Sequence, residues 1–157
     1  MDITKQYSAN DIKTMQLADN ARLPGKNRVE EIRNYAKLAG LKRIGIANCT
    51  AVQKEANLLK TSLATDFDVY AIDCKCGKIP SSEFLGVDAK GVSCNPAGQA
   101  DFLAENKTEL NIVMGLCVGH DMVFGSKSKA PTTTLIVKDR EHKHNPMETF
   151  KKNETIL

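Results

Sequence analysis

Leu110-Asn111-Ile112-Val113-Met114-Gly115-Leu116-Cys117-Val118-Gly119-His120-Asp121 is an apolar run suited to a buried strand, cut short by glycine turns that carry a cysteine and a histidine. Two earlier runs, from Lys42 to Asn48 and from Asp68 to Asp73, also end on a cysteine, Cys49 and Cys74. The same arrangement, a strand delivering a sulfur at its tip, thus recurs along the chain.

Between these runs the apolar period changes to that of helices. Thr50 with Gln53 forms a capping-box pattern ahead of Val52, Ala56, Leu59 and Leu63, which places Cys49 in the turn entering a helix. Asn95 followed by Pro96 predicts a helix through about Glu105, with Cys94 just outside its N-terminus. A short helix is expected over Asp121 to Lys129, ended by Ala130-Pro131, and the β-branched stretch Thr132 to Val137 predicts a further strand. Upstream, Ser8 and Asn27 are caps for two more helices, the second stopping at Gly40, while residues 1–7 are expected to fray. The long Gly-, Ser- and Pro-rich segment from Gly77 to Ser93 reads as a functional excursion or a poorly ordered loop, and Glu141 to Leu157 as a polar tail over the surface.

Strand alternating with helix predicts an α/β fold: a three-layer sandwich with a largely parallel sheet of about four or five strands and an N-terminal helical extension. Residues 1–40 would form the extension of the same domain and 41–157 the α/β domain with a cysteine-lined strand-end site. At 157 residues the chain can bury a core without disulfides.

The charge balance of +3, with 22 basic and 19 acidic residues scattered along the chain, offers no concentrated face for nucleic acid. No apolar run approaches the roughly 20 residues that cross a bilayer and no leader pattern is evident, so the expectation is a cytoplasmic protein away from membranes. Five cysteines cannot all pair within the chain, leaving free thiols, metal ligands or redox sulfurs open. Neither dinucleotide nor P-loop glycine motifs occur.

In a parallel sheet all strand C-termini share one edge, where open α/β folds bind their ligands. Cys49, Cys74 and Cys117 are expected to converge there, with Cys94 entering from a helix start. Four sulfurs match the ligand number of zinc or of a cubane iron-sulfur cluster, and His120 is a fifth candidate ligand. A competing reading is thiol chemistry. Helix N-termini at Cys49 and Cys94, with Lys75 nearby, favour thiolates, and Cys94 or Cys117 would be the nucleophile with His120 as its base. In a third reading the protein binds a small ligand or another protein and its cysteines only pack. Cys76, His142 and His144 receive no role.

One set of residues in order resembles a known family: Cys74-Lys75, Cys94-Asn95-Pro96 with Gln99-Ala100, Leu110-Asn111, Gly115 through Asp121, Ala130-Pro131 with Thr134-Leu135, Lys138-Asp139-Arg140 and His144-Asn145-Pro146. They resemble the uncharacterised, predicted metal-binding proteins of a domain-of-unknown-function family of anaerobic bacteria and archaea. The resemblance implies a metal ion, zinc or an iron-sulfur cluster, at a site shared by Cys74, Cys94, Cys117 and His120. Cys76 stands where the family pattern has an apolar residue.

Overall fold

In a computed structural model, which describes residues 5–151, the chain divides into two compact units, Met1–Lys42 and Arg43–Leu157. The first is a helix pair. Helix α1 (Ala9–Ala21) opens on a reciprocal capping box in which Ser8 and Asp11 satisfy each other's backbone N–H groups. Helix α2 (Arg28–Leu38) starts from Asn27, whose side chain accepts from the Glu30 N–H at 3.1 Å, and Gly40 follows it at φ +69°. These are the two caps read from Ser8 and Asn27. Of the expected frayed segment, residues 1–4 lie outside the described residues, as do residues 152–157 of the polar tail.

The second unit is a four-stranded sheet, all parallel, in the order β2-β1-β3-β4. Its strands are β1 (Arg43–Asn48), β2 (Asp68–Asp73), β3 (Leu110–Met114) and β4 (Thr132–Ile136). The two inner strands carry the apolar runs: all five residues of β3 and the last five of β1 are buried. The flanking strands are half-exposed, and β4 is three threonines, a leucine and an isoleucine, all but the leucine β-branched residues that suit an edge. Helix α3 (Gln53–Leu63) links β1 to β2, α5 (Pro96–Glu105) links β2 to β3, and α6 (Val118–Lys127) links β3 to β4. Right-handed crossovers put α3 on one face and α5 with α6 on the other, because the chain moves one way from β1 to β2 and the other way thereafter. The α/β class and the three layers predicted from the alternation are therefore present.

Three expectations shift locally. The residues from Thr50 to Val52 form a 3-10 turn before α3 instead of its first turn, and neither Cys49 nor Val52 offers a side-chain cap there. Helix α6 begins at Val118, three residues ahead of the expected Asp121, directly after Cys117 in the N-cap position. The segment from Gly77 to Ser93 is ordered. It holds a 3-10 turn (Cys76–Lys78), the one-turn helix α4 (Ser82–Leu85) and an antiparallel bridge between Pro80 and Val92. In the tail a short helix, α7 (Glu148–Lys151), follows a set of turns.

Gly45 explains how α5 approaches the sheet so closely. A Cβ at this position in β1 would overlap Asn111 Oδ1 and stand 3.0 Å from the Leu103 methyls. Asn111 is buried in β3 and bound on both sides, its Oδ1 accepting from Thr108 Oγ1 and its Nδ2 donating to Ser128 Oγ, each at 2.8 Å. The absent side chain thus makes room for a polar bridge running from β3 to the end of α6. Gly45→Ala is expected to destabilise the protein by about 1–3 kcal/mol, since neither the bridge nor Leu103 can yield without loss. A denaturation midpoint unchanged in urea would show that the sheet relaxes freely here.

Candidate functional site: a sulfur-lined sheet edge

The strand order reverses direction between β1 and β3, so the crevice of a doubly wound sheet opens at their C-terminal ends. Cys49 follows β1 and Cys117 follows β3, one on each side of that crevice. Cys74 follows β2, next to β1. Each sits where the sequence places it, because parallel strands must all end on one edge.

Backbone carbonyls at a strand end have lost their ladder partners and need donors. Gln99, on the first turns of α5 and fully buried, supplies two: its Nε2 donates to Asn48 O at 3.1 Å and to Ile72 O at 2.9 Å. This clamp ties together the last turns of β1 and β2, the strands that present Cys49 and Cys74. The Asn95 N–H then donates to Cys74 O at 2.8 Å, and Asn95 Oδ1 accepts from the Gly98 N–H to cap α5. Cys94 is thereby held against Cys74, their sulfurs 3.6 Å apart, with the Cys94 thiol donating.

In the series Cys49, Cys74 and Cys94, Cys74 pairs with Cys94 at 3.6 Å, and Cys49 lies near enough for its sulfur and that of Cys74 to influence one another electrostatically. Their electrostatics differ. Burial pushes the Cys49 thiol up, but the Ala51 N–H of the 3-10 turn and the Lys138 ammonium, whose Nζ donates to Cys49 Sγ at 3.3 Å, together bring it below its ordinary value. For Cys74, burial is again the largest influence; the Thr50 N–H opposes it, while the sulfurs of Cys94 and Cys49 reinforce it, and the thiol is pushed up to about 11. The two neighbouring thiols are thus shifted in opposite directions, Cys49 down and Cys74 up.

Cys117 stands in a second ion-like contact, its Sγ accepting from Arg140 Nη2 at 3.1 Å. Lys138 and Arg140 are the residues that sequence reasoning missed as site members. Their signal was position: they follow β4, whose end must share the same edge. Asp139, between them, turns away into the chain that follows. Its Oδ1 accepts the Glu141 and His142 N–H groups at 3.0 and 2.9 Å, and its Oδ2 lies 3.2 Å from His142 Nδ1. These contacts, the His142 N–H first, hold the Asp139 carboxyl below the usual carboxylate range. His144 closes the turn at φ +67°, its Nδ1 accepting from the Asp139 N–H. His142 and His144 therefore build the turn that carries the two cations.

The remaining candidates fall outside the series. His120, on the first turn of α6, is half-buried and makes no hydrogen bond or ion pair with a described residue, so its expected partnership with Cys117 is replaced by that of Arg140. Cys76 gives its thiol to Asn95 O at 3.6 Å, and Lys75, expected to strengthen a thiolate field, spends its ammonium on Val92 O.

A tetrahedral zinc ion, with zinc-sulfur bonds near 2.3 Å, sets its sulfurs about 3.8 Å apart. The Cys74 and Cys94 pair meets that spacing. The larger set does not fit as it stands, because cations already occupy the Cys49 and Cys117 sulfurs, and among the described residues no group of three or more His, Cys, Asp or Glu is arranged to hold a metal ion. Nor, among the described residues, is any helix long and apolar enough to cross a membrane.

The family described as "Protein of unknown function (DUF1847)" matches residues 2–135. An uncharacterized protein of the archaeon Methanocaldococcus jannaschii, MJ0455, is 47% identical over 124 residues, which are 76% of this chain. The chain spans 64% of that relative's length. No solved structure matches.

The contrast between the two buried sulfurs has a consequence at high pH. An unfolded thiol ionises near 9.0, whereas folded Cys74 does so near 11. The contribution of Cys74 to stability is then complete below pH 9 and lost as pH rises towards 11. Cys74→Ala is expected to flatten this alkaline part of the stability profile, measured by urea denaturation at stepped pH. An unaltered slope would mean that another group controls it.

Proposed function

Because the chain belongs to the DUF1847 family of proteins of unknown function, its chemistry is read from its own side chains, and we propose a thiol centre with Cys49 as the reactive thiolate and Cys74 with Cys94 as an adjoining dithiol pair. The observation that carries this reading is the Lys138 ammonium 3.3 Å from Cys49 Sγ, deep at the crevice between β1 and β3. A thiolate is the nucleophilic form of cysteine, and a neighbouring cation together with a backbone N–H populates it near neutral pH. Cys74 lies against that sulfur in protonated form, so a bond formed on Cys49 has a second thiol beside it and a third, Cys94, beyond. Lys138 takes the place at the nucleophile that the expectation gave to His120.

The test is differential labelling of the reduced protein with iodoacetamide near neutral pH, read residue by residue by mass spectrometry. Cys49 is expected to react faster than the other four cysteines, and Lys138→Met to slow it by about tenfold, the effect of one pH unit on a thiolate population. Because the ammonium lowers the Cys49 value, removing it shifts the labelling profile towards higher pH. Uniform slow labelling, or a Cys49 rate indifferent to Lys138→Met, would overturn the reading.

The 3.6 Å spacing of Cys74 and Cys94 favours a second reading, in which this pair is the first half of a site for zinc or an iron-sulfur cluster. Cys49 and Cys117 would complete it, with His120 in reserve, once Lys138 and Arg140 were displaced from their sulfurs. Protein purified without oxygen should then carry near-stoichiometric zinc or iron that Cys74→Ser and Cys94→Ser both abolish. Metal-free protein with a fast Cys49 excludes this reading in favour of the first.

A further inference from the structure

Lys138 and Arg140 flank Asp139 in the segment that leaves β4, and each reaches a sulfur at the same sheet edge. Their contacts, Cys49 and Cys117, come from the two strands that flank the crevice. Neither cation has a carboxylate partner among the described residues, and the acid between them, Asp139, is committed to its own turn. An ammonium has three donors and a guanidinium five, and each spends one on a sulfur. Two cations brought to the adjacent ends of β1 and β3, with donors to spare, make a positive patch that favours an anionic ligand.

From this geometry we infer that the substrate of the centre is a small oxyanion carrying a sulfane sulfur, gripped through its oxygens by Lys138 and Arg140 while its outer sulfur meets Cys49. The inference rests on the reading of Cys49 as the reactive thiolate and adds the chemical class that the thiolate meets. A neutral electrophile would gain nothing from the second cation, which lies on Cys117 and does not touch the nucleophile. A phosphate ester would use the cations but presents a hard centre, for which a row of three thiols has no further use. Thiosulfate satisfies both halves of the site. The Cys49 thiolate attacks the outer sulfur, a new sulfur-sulfur bond forms, and the original one breaks with its electron pair leaving on sulfite. Cys49 is left as a persulfide. The two charges of thiosulfate are conserved as sulfite departs, and no outside oxidant or reductant enters. The cations hold the oxygens of the leaving group, where negative charge gathers as the bond breaks.

The experiment gives the reduced full chain thiosulfate alone, following sulfite release and the gain of one sulfur on the Cys49 peptide, with iodoacetamide labelling of Cys49 run in parallel. The expected result is one sulfite per chain with the added sulfur on Cys49. In Arg140→Met the thiosulfate rate relative to the iodoacetamide rate should fall by about tenfold and in Arg140→Lys recover in part, because the charge and not the fork shape is the larger share of the attraction. If iodoacetamide finds a fast Cys49 but thiosulfate transfers no sulfur, the oxyanion inference is wrong and the thiol centre stands. A ratio that Arg140→Met leaves unchanged also overturns the inference. If Cys49 is slow even towards iodoacetamide, the thiol centre itself falls and takes the inference with it.

Discussion

The arrangement of the edge depends on one buried amide. Gln99 donates to the carbonyls of Asn48 and Ile72, and so fixes the ends of β1 and β2 at the point where the sheet's own hydrogen bonds stop. Strand tips are otherwise the loosest part of a ladder, free to splay by the width of a side chain. With Gln99 in place, Cys49 and Cys74 leave their strands from locked positions, and α5, which carries Gln99, brings Cys94 in from its own N-terminus through the Asn95 bond to Cys74 O. One helix therefore supplies both the clamp and the third sulfur. The amide works at some cost to stability: Gln99 Oε1 and Asn48 Oδ1 are buried without a partner, and an orphaned acceptor costs about 1–3 kcal/mol.

Within the sulfur series, similar burial is accompanied by opposite shifts because the neighbours differ. Cys49 and Cys74 are both almost inaccessible, and each receives a backbone N–H from the 3-10 turn that follows β1. Cys49 adds an ammonium; Cys74 adds two sulfurs. Charge on Cys49 is thus welcomed by Lys138 and discouraged on Cys74 by Cys49 itself, so that ionising one sulfur keeps the next neutral. The fold achieves this by combining four separate strand ends. β1 and β2 carry the two thiols, β4 carries the cation, and β3, between β1 and β4, ends in Gly115 at φ +65°, where a Cβ would stand 3.2 Å from Val52. That glycine lets the chain turn past Val52, bringing Cys117 to the crevice.

The fold was legible because its signals are local. β1 and β3 are continuous apolar runs of strand length, Asn95-Pro96 is a helix start with its own chemistry, and parallel order follows from alternation. The expectation for Cys49, Cys74 and Cys117 follows the same logic, since parallel strands end on one edge, whereas Cys94 comes from a helix start and is placed beside Cys74 by the Asn95 N–H bond to Cys74 O. Lys138, Arg140 and Gln99 were not legible in this way. Lys138 and Arg140 stand just past the end of a strand and Gln99 inside a helix, and the sequence attaches no role at the site to any of them beyond their place in the family resemblance. What makes them members of the site is distance in three dimensions, across 89 residues from Lys138 to Cys49 and 51 from Gln99 to Asn48, which no period or cap records. The earlier start of α6 was hidden for a related reason: Cys117 takes the N-cap position with no side-chain hydrogen bond, so no cap residue announces it.

His120 and His142 show how far residue type alone can mislead. A histidine three residues from a cysteine invites the role of base, yet His120 makes no hydrogen bond or ion pair with a described residue, and Cys117 accepts from a guanidinium. His142, which carried no expectation, sits nine-tenths buried at the centre of the turn that aims Lys138 and Arg140, its ring against the Asp139 carboxylate. A base at the edge would have to exchange protons with solvent to recycle. Lys138 and Arg140 instead meet the sulfurs of Cys49 and Cys117 directly through N–H donors. The edge consequently presents two sulfurs to two cations, with His142 and His144 framing the turn that carries those cations.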